Sequence, residues 1–538
     1  MAAHTIHARE PRGAASAAAG ELVDRSPEII TRHLEDAAHF TGGHADGVAR
    51  PRTESEISGL VQSASRVLAV GAQSSVTGGA TPDGGIVIST EKLTSIQPDG
   101  GDRVRAGAGV ALDTLQEWLH ARGQWYAPVP TFTGAFVGGV VATNAAGAAT
   151  FKYGPTRPWV DAITCVLACG HVLDVVRGDV TADPRDGFRV SCPCGTRSVQ
   201  PGTYVMPAVP KCSAGYFAAP EMDLIDLFIG SEGTLGVIVN ATLRVLPERP
   251  ALTMALVPAP SEATALALVG DLRKASAATW HSRDVQGIDV AAIEHLDRRC
   301  LEMLREDGAD RRNDITIHED ADLLLLIQIE LPAGTTAATA YDDIANALTP
   351  SAHDRPLARF CRILATYGVL EHTELAMPGD ERRLRQCLAL REAAPMGVNR
   401  RVGDAKRDID PRMEKTAADM VVPFDRFGEM MAIYRDGYAR RGLDYAIWGH
   451  ISDGNVHPNV IPRRYADIEA GKDAILEFGR EAARLGGCPL AEHGVGRSPL
   501  KQALLRQFYG DRAIEEMRAI KRALDPDFKL APGVIFDK

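Results

Sequence analysis

The chain has 538 residues, which at about 150 residues per domain predicts two to four domains. Hydrophobic residues make up 45% and charged residues 24%, so full-sized cores can form and wholesale disorder is excluded. The net charge of −11 argues against a nucleic-acid-binding protein, whose binding surface is basic.

Neither a membrane span nor a secretory signal is predicted. The longest apolar run considered, Leu323 to Ile327, is far shorter than the ~18 residues of a span and predicts a buried strand. The first twenty residues lack an apolar core and predict a frayed tail. Nine scattered cysteines are typical of a reducing compartment. We therefore expect a cytoplasmic protein, which can also lie peripherally at the inner membrane surface.

Three cysteines, Cys192, Cys194 and Cys212, form the one cluster in the sequence. A metal site would need a fourth ligand at a recognisable spacing, and no such residue is nearby. Small buried or loop thiols are therefore favoured, and the role of the cluster stays open.

Glycine is concentrated in the first half, where fourteen of the 51 glycines lie between Gly71 and Gly147. Predicted elements in this half are strands at 66–70, 85–89 and 104–108, a helix at 111–122, a hairpin of 160–168 with 172–176, and a strand at 234–246. The Pro-, Glu- and Arg-rich stretch 247–260 predicts a linker to a second domain. That domain is predicted to contain strands at 322–331, 445–450 and 456–461. Amphipathic helices are predicted in the later half of the chain at 262–276, 290–305, 378–394, 424–440, 465–485 and 499–524. The predicted class is α+β.

Three loops of small, mostly uncharged residues are candidate ligand-binding segments. Residues 71–79 combine glycines and hydroxyl side chains, and such a loop can direct several backbone N–H groups at a phosphate. Residues 130–147 would line a long narrow ligand, and residues 226–238 add a further segment where backbone can approach it closely. A plain surface loop is the alternative for 71–79 taken alone.

Two motifs near the C-terminus bring imidazoles and carboxylates together. Residues 449–459 read Gly-His-Ile-Ser-Asp-Gly-Asn-Val-His-Pro-Asn, and residues 491–496 read Ala-Glu-His-Gly-Val-Gly. A turn at Asp453-Gly454-Asn455 would join two strands, so that both imidazoles could face one pocket. Two imidazoles and a carboxylate suit a divalent ion with an open position. Hydrogen-bonded core histidines are the alternative.

On these loops and motifs the chain resembles the FAD-linked oxidases of the vanillyl-alcohol oxidase/PCMH superfamily, in the branch of the D-lactate, glycolate and D-2-hydroxyglutarate dehydrogenases. The resemblance runs from about residue 45 to the end, and its most specific segment is 229–238. It implies an N-terminal tail and first helix at 1–45, a PCMH-type FAD-binding domain of two α/β subdomains at 46–250, an α+β cap domain with an antiparallel sheet at 251–490, and a segment at 491–538 that returns to the flavin site.

The resemblance also implies the cofactor site. Its FAD-binding residues would be Gly71, Ala72, Gln73, Ser74, Ser75, Thr77, Gly78, Gly79, Pro130, Gly138, Gly139, Ala142, Thr143, Gly147, Glu232, Gly233, Gly236, Val237 and Ile238. Ala72 and Gln73 stand where the family loop usually continues with glycine. Because no histidine occupies this loop, we expect FAD to be bound non-covalently.

The same resemblance assigns the chemistry. His450, His457 and Glu492 would bind a divalent metal (zinc, manganese or iron), and His493 would be the catalytic base. Arg391, Asn455 and Lys415 would contact substrate. Ser452 stands where relatives usually have glycine.

The implied reaction is oxidation of a D-2-hydroxy acid such as D-lactate by hydride transfer to flavin N5. Electrons would leave to a separate acceptor (a quinone, a cytochrome or an electron-transfer flavoprotein), and a homodimer is compatible with the sequence. The alternatives are a flavin-dependent transferase similar to alkylglycerone-phosphate synthase, an FAD subunit of a glycolate oxidase-type complex, and a flavin-free hydrolytic metal site. The particular hydroxy acid, the acceptor and the metal stay open.

Overall fold

The computed structural model describes residues 4–13, 18–128, 130–349 and 354–536, which form two units. The first unit contains residues 1–147, 154–247 and 488–538, and the second contains 148–153 and 248–487. Residues 1–3 and 14–17 of the predicted tail lie outside the described residues. The mixture of helices and sheets in both units confirms the predicted α+β class.

Two sheets dominate the first unit. A four-stranded sheet has the order Val23–Asp24, Gly47–Ala49, Ile86–Ser89, Val67–Val70, and its last three strands are parallel. A five-stranded antiparallel sheet has the order Val172–Val176, Val160–Val166, Val237–Arg244, Arg103–Gly107, Ile96–Pro98. The predicted hairpin of 160–168 with 172–176 is the edge of this sheet.

Smaller elements complete the first unit. Thr5–His7, Phe188–Cys192 and Gly195–Val199 form a three-stranded sheet, and Gln124–Trp125 pairs with Leu246–Pro247. The helices are Pro27–Thr31, Glu54–Ser63, Leu112–His120, Val137–Ala142, the 3-10 turn Arg157–Trp159, Leu224–Phe228 and Pro499–Leu524. The last helix is interrupted at Gly510, where φ is 81°. The prediction of a frayed tail is wrong for residues 4–13, because Thr5–His7 pairs in parallel with Arg189–Ser191.

The second unit is built on a seven-stranded antiparallel sheet. Its order is Glu374–Ala376, Ala251–Ala259, Leu323–Leu331, Val290–Leu296, Asp444–His450, Asn455–Ile461, Met420–Val421. Its helices are Thr150–Tyr153, Glu262–Ser282, Arg298–Glu306, Ala309–Arg312, Ala337–Ala345, Pro356–Thr366, Glu381–Asp408, Phe427–Arg440 and Tyr465–Arg484, with 3-10 turns at Leu370–His372, Phe424–Arg426 and Ile451–Asp453. The short segment 148–153 is held in this unit by Lys152, whose Nζ lies 2.6 Å from Asp289 and also pairs with Glu330.

Two predictions for this unit are wrong. The stretch 247–260 is not a linker, since Ala251–Ala259 is a strand between two others, and its prolines lie near the strand ends. The predicted helix 290–305 is instead the strand Val290–Leu296 followed by the helix Arg298–Glu306. All seven residues of that strand are buried, so the alternation that would reveal a half-exposed strand is missing. Asp297 caps the helix by accepting from the N–H of Cys300 at 2.8 Å.

Among the described residues, no helix has both the length and the apolar composition needed to cross a membrane.

Candidate active site

A cavity of about 340 Å³ lies in the first unit and is lined largely by the predicted loops. This volume is in the range of small-molecule and cofactor sites. The predicted cofactor residues that line it are Gly71, Ala72, Gln73, Ser74, Ser75, Thr77, Gly79, Pro130, Gly138, Gly139, Ala142, Thr143, Glu232, Gly233, Gly236 and Ile238. Gly78, Gly147 and Val237 are outside the lining: the N–H of Gly78 donates to Asp36 at 2.6 Å, and Val237 is buried at the start of a strand.

Backbone atoms form part of the cavity wall. At two glycines of this wall, the position that a Cβ atom would occupy is open space. A Cβ placed on Gly139 or Gly233 would meet no heavy atom within 4 Å. The neighbouring Gly138 has a different reason to be glycine, since its Cβ would lie 2.7 Å from the Cβ of Ala108. Gly138 therefore lets the helix Val137–Ala142 pack against the sheet, and Gly139 leaves room for a ligand. A cradle of this kind fits a flat, elongated nucleotide cofactor.

Glu232 joins the third loop to the C-terminal segment. Its carboxylate accepts hydrogen bonds from the N–H groups of Val495 and Gly496, each at 2.8 Å. Burial raises the pKa of Glu232 to about 7, although the two amides lower it. Its backbone φ of 52° is in the left-handed region, which a non-glycine residue adopts only when its surroundings require it. The residue is both part of the cavity wall and the anchor of the segment that follows Glu492.

Glu492 and His493 also line this cavity. Oε1 of Glu492 lies 3.6 Å from Nε2 of His493, and Oε2 lies 3.0 Å from Nζ of Lys211, whose side chain is 1% exposed. A buried ammonium of this kind neutralises the carboxylate beside the predicted base. The sequence does not reveal Lys211, because nothing near it in the chain marks it as the partner of a residue 281 positions away.

In the second unit the two predicted metal-binding histidines lie on one hairpin. His450 ends the strand Asp444–His450, and His457 lies in the strand Asn455–Ile461; their ring centroids are 5.5 Å apart. Gly454 makes the turn with φ of 78°, and a Cβ there would collide with the carbonyl of Val422. Ser452, which replaces the family glycine, is buried and its Oγ accepts from the N–H of Ile293 at 3.1 Å.

Each of these histidines has a carboxylate at its Nδ1. Nδ1 of His450 lies 2.9 Å from Oε1 of Glu294, and Nδ1 of His457 lies 3.4 Å from Oδ1 of Asp419. Burial would raise the pKa of Glu294, but the charges of Arg391 and His450 lower it well below its ordinary value. The Glu294 carboxylate fixes the tautomer of His450 and leaves its Nε2 as the metal ligand, whereas Asp419 lies at ion-pair distance from His457. The sequence reveals neither carboxylate as a partner of these histidines, and Glu294 lies in the segment predicted as the helix 290–305.

The three predicted substrate residues also belong to the second unit. Nε and Nη2 of Arg391 both donate to Oε2 of Glu294 at 3.1 Å, so this arginine also orients the carboxylate behind His450. Nδ2 of Asn455 donates to Asp419 at 3.2 Å and to the carbonyl of Met420 at 2.9 Å. Lys415 is exposed at the surface. Substrate binding by these residues stays a prediction.

Known protein families match both parts of the chain. A family described as FAD linked oxidases, C-terminal domain, matches residues 259–535, and an FAD binding domain matches residues 45–175. Because the first match covers more than half of the sequence, the chain belongs to the FAD linked oxidase family. The protein is thus an FAD-dependent oxidoreductase, and the predicted resemblance is confirmed.

Similar curated proteins point to one branch of this family. The chain is 26% identical to a D-lactate dehydrogenase of Archaeoglobus fulgidus, covering 91% of each sequence. It is equally identical to the glycolate oxidase subunit GlcD of Bacillus subtilis (92% of this chain, 89% of the relative) and to a D-2-hydroxyglutarate dehydrogenase of Xanthomonas citri pv. viticola (91% and 89%). A solved alkyldihydroxyacetonephosphate synthase shares the fold at a TM-score of 0.58 with 15% identity, over 98% of this chain and 87% of that one.

Proposed function

We propose that this protein oxidises a small D-2-hydroxy acid, with D-lactate the first to be tested, to the corresponding 2-oxo acid. The similar proteins support this substrate class, since they are named after D-lactate, glycolate and D-2-hydroxyglutarate. The observation that carries the proposal is the pair of buried histidines, His450 and His457, with a carboxylate at each Nδ1. This arrangement prepares two Nε2 atoms to bind a divalent ion.

The cavity of the first unit is the proposed FAD site. Bound FAD would supply the hydride acceptor. Main-chain groups of residues 71–79 would hold its phosphates, and the glycine at 139 would let the cofactor lie directly against backbone. Because no histidine occurs in 71–79, the flavin would be held without a covalent bond to that loop.

His450 and His457 would bind the metal, and the family resemblance adds Glu492 as a third ligand. Two imidazoles and a carboxylate accept zinc, manganese or iron and leave a coordination position open. Such an ion would lower the pKa of a hydroxyl group bound to it. Glu294 would hold the ring of His450 in the ligating tautomer through its hydrogen bond to Nδ1, and the negative charge of Asp419 lies beside His457.

His493 is the proposed general base, which would take the hydroxyl proton of the substrate at a ring nitrogen. Histidine suits this step because it gains and loses a proton near neutral pH. Oε1 of Glu492 lies 3.6 Å from Nε2 of this imidazole, and Lys211 balances the charge of that carboxylate. Arg391 and Lys415 would bind the substrate carboxylate, and the electrons would pass to a separate acceptor.

The first experiment is anaerobic addition of D-lactate to the purified flavoprotein, which should bleach the absorbance of the oxidised flavin. L-lactate is the matched control, because it has the same charge and composition and differs only in configuration. Glycolate and D-2-hydroxyglutarate then compare smaller and larger acids. Failure of all these acids to reduce the flavin would contradict the substrate class.

A second experiment tests the residues. His493→Ala should slow flavin reduction by about 10²–10⁴-fold, the usual contribution of a general base, while FAD stays bound. His120→Ala is the matched control, since His120 is exposed at the end of the helix Leu112–His120. His457→Ala should lower bound metal and flavin reduction together. Wild-type rates in His493→Ala would remove His493 from the mechanism.

A further inference from the structure

A second group of metal-type side chains lies in the first unit, separate from the cavity. It consists of Cys169, His171, Cys192 and Cys194. One donor atom from each residue lies within 4.8 Å of every other donor, which is the spacing of ligands around a single ion. Cys212, which the sequence groups with Cys192 and Cys194, is not a member, since its Sγ lies 3.5 Å from that of Cys488.

Two tight turns supply these four donors, two from each turn. Cys169 and His171 lie in the turn between the strands Val160–Val166 and Val172–Val176, on either side of Gly170, whose φ is 86°. Cys192 and Cys194 flank Pro193 in the turn between Phe188–Cys192 and Gly195–Val199. Structural zinc sites commonly take one pair of ligands from each of two turns, and the pairs here are separated by one residue instead of the usual two to four. The sequence conceals the site because the two pairs are more than twenty residues apart.

The contacts around the group also suit a metal. Nδ1 of His171 lies 3.4 Å from Sγ of Cys169, and its Nε2 lies 3.2 Å from a carboxylate oxygen of Glu10. A histidine that binds metal through one nitrogen usually donates its other N–H to such a carboxylate. Nη2 of Arg197 donates to Sγ of Cys194 at 3.5 Å, which stabilises negative charge on that sulfur. Glu10 also brings the N-terminal segment to the site.

The spacing of two of the sulfurs is closer to that of two zinc ligands than to that of a disulfide. Sγ of Cys169 lies 3.4 Å from Sγ of Cys192, and both are free thiols. Two thiolates on one tetrahedral zinc, each with a Zn–S distance of about 2.3 Å, are roughly 3.8 Å apart. A disulfide needs about 2.0 Å. The two sulfurs are thus not bonded to each other, and a zinc ion between them would move them slightly apart.

We propose that Cys169, His171, Cys192 and Cys194 bind one zinc ion in tetrahedral geometry. With all four positions taken by protein, the ion has no open position for substrate, so its role is structural. It would fasten the edge hairpin of the five-stranded sheet to the three-stranded sheet. This site is independent of the proposed catalytic metal, which has no sulfur ligand.

Zinc content tests the proposal directly. Protein purified under reducing conditions should hold one equivalent of zinc more than the variant Cys192→Ser/Cys194→Ser. Cys212→Ser is the matched control and should keep the wild-type zinc content. Equal zinc content in the wild type and the double variant would overturn the proposal. A Cys169–Cys192 disulfide detected by mass spectrometry would also overturn it, and so would iron and sulfide bound in stoichiometric amounts.

Two further measurements do not depend on the double variant folding. Titrating wild-type thiols with a mercurial should release one equivalent of zinc as the cluster cysteines react, measured with a colorimetric chelator. Co²⁺ added in place of zinc should give intense absorption in the red, where oxidised flavin does not absorb, as expected for tetrahedral cobalt with thiolate ligands. The single variant Cys194→Ser, at an exposed position, should lower that absorption severalfold. Absence of both signals in the wild type would overturn the site.

Discussion

Replacing Gly139 by alanine should separate cofactor binding from folding. A Cβ at this position meets no heavy atom within 4 Å, so the apoprotein can accept the methyl group. Alanine is also favoured over glycine inside a helix by about 1 kcal/mol, so the free energy of unfolding of the apoprotein should stay the same or rise. With FAD bound, the methyl group would crowd the ligand at a cost of about 1–3 kcal/mol. Since each 1.4 kcal/mol is tenfold, FAD affinity should fall about 5- to 150-fold.

The matched control is the adjacent residue. A Cβ on Gly138 would lie 2.7 Å from Cβ of Ala108 and 3.1 Å from its carbonyl oxygen, so Gly138→Ala should destabilise the apoprotein by about 1–3 kcal/mol. Urea unfolding of the apoproteins measures stability, and quenching of flavin fluorescence during titration measures FAD affinity. If Gly139→Ala bound FAD as tightly as the wild type, the helix Val137–Ala142 would not lie against the cofactor, and the cavity assignment would fail.

Three further outcomes follow from buried charges. Glu232 has a pKa of about 7 in the folded protein, whereas an unfolded glutamate has a pKa near 4.5. Because the folded state holds the proton more tightly, the free energy of unfolding should fall by up to about 3 kcal/mol as the pH rises from 4.5 to 7. Urea unfolding at pH 5 and pH 8 measures this loss of stability, which should disappear in Glu232→Gln. An equal loss in the wild type and in Glu232→Gln would mean that other groups cause it. Arg391→Leu should destabilise the protein by about 3–5 kcal/mol because Glu294 keeps a buried charge, and the double variant with Glu294→Leu should recover much of that loss in thermal unfolding. No recovery would mean that the arginine stabilises the fold through other contacts. Lys211→Met should slow flavin reduction by D-lactate more than Lys211→Arg does, because arginine keeps a positive charge beside Glu492. Equal rates of flavin reduction in the two variants, measured by stopped flow, would show that this charge does not affect the reaction.

The local sequence was sufficient where a feature depends on neighbouring residues. The mostly uncharged, glycine-dense loops predicted ligand-binding segments, and most of the residues predicted there line one cavity. Gly454 predicted the turn between the two histidine strands, because only glycine fits the left-handed backbone pressed against Val422. The helix Tyr465–Arg484 followed the predicted 465–485, because one face is buried and the other is not.

Tertiary structure alone decided the features that join distant parts of the chain. A fully buried strand has no polar face, so the pattern of 290–296 does not distinguish it from a helix. The prolines at and near both ends of 251–259 indicate a linker, although the tertiary structure makes this segment a strand. Pairings such as Glu294 with His450 or Lys211 with Glu492 join residues more than 150 positions apart, and neither residue of a pair marks the other in the sequence. The four zinc-type donors likewise appear as a group only when two hairpins pack together, since ligand geometry is a property of space and not of spacing along the chain.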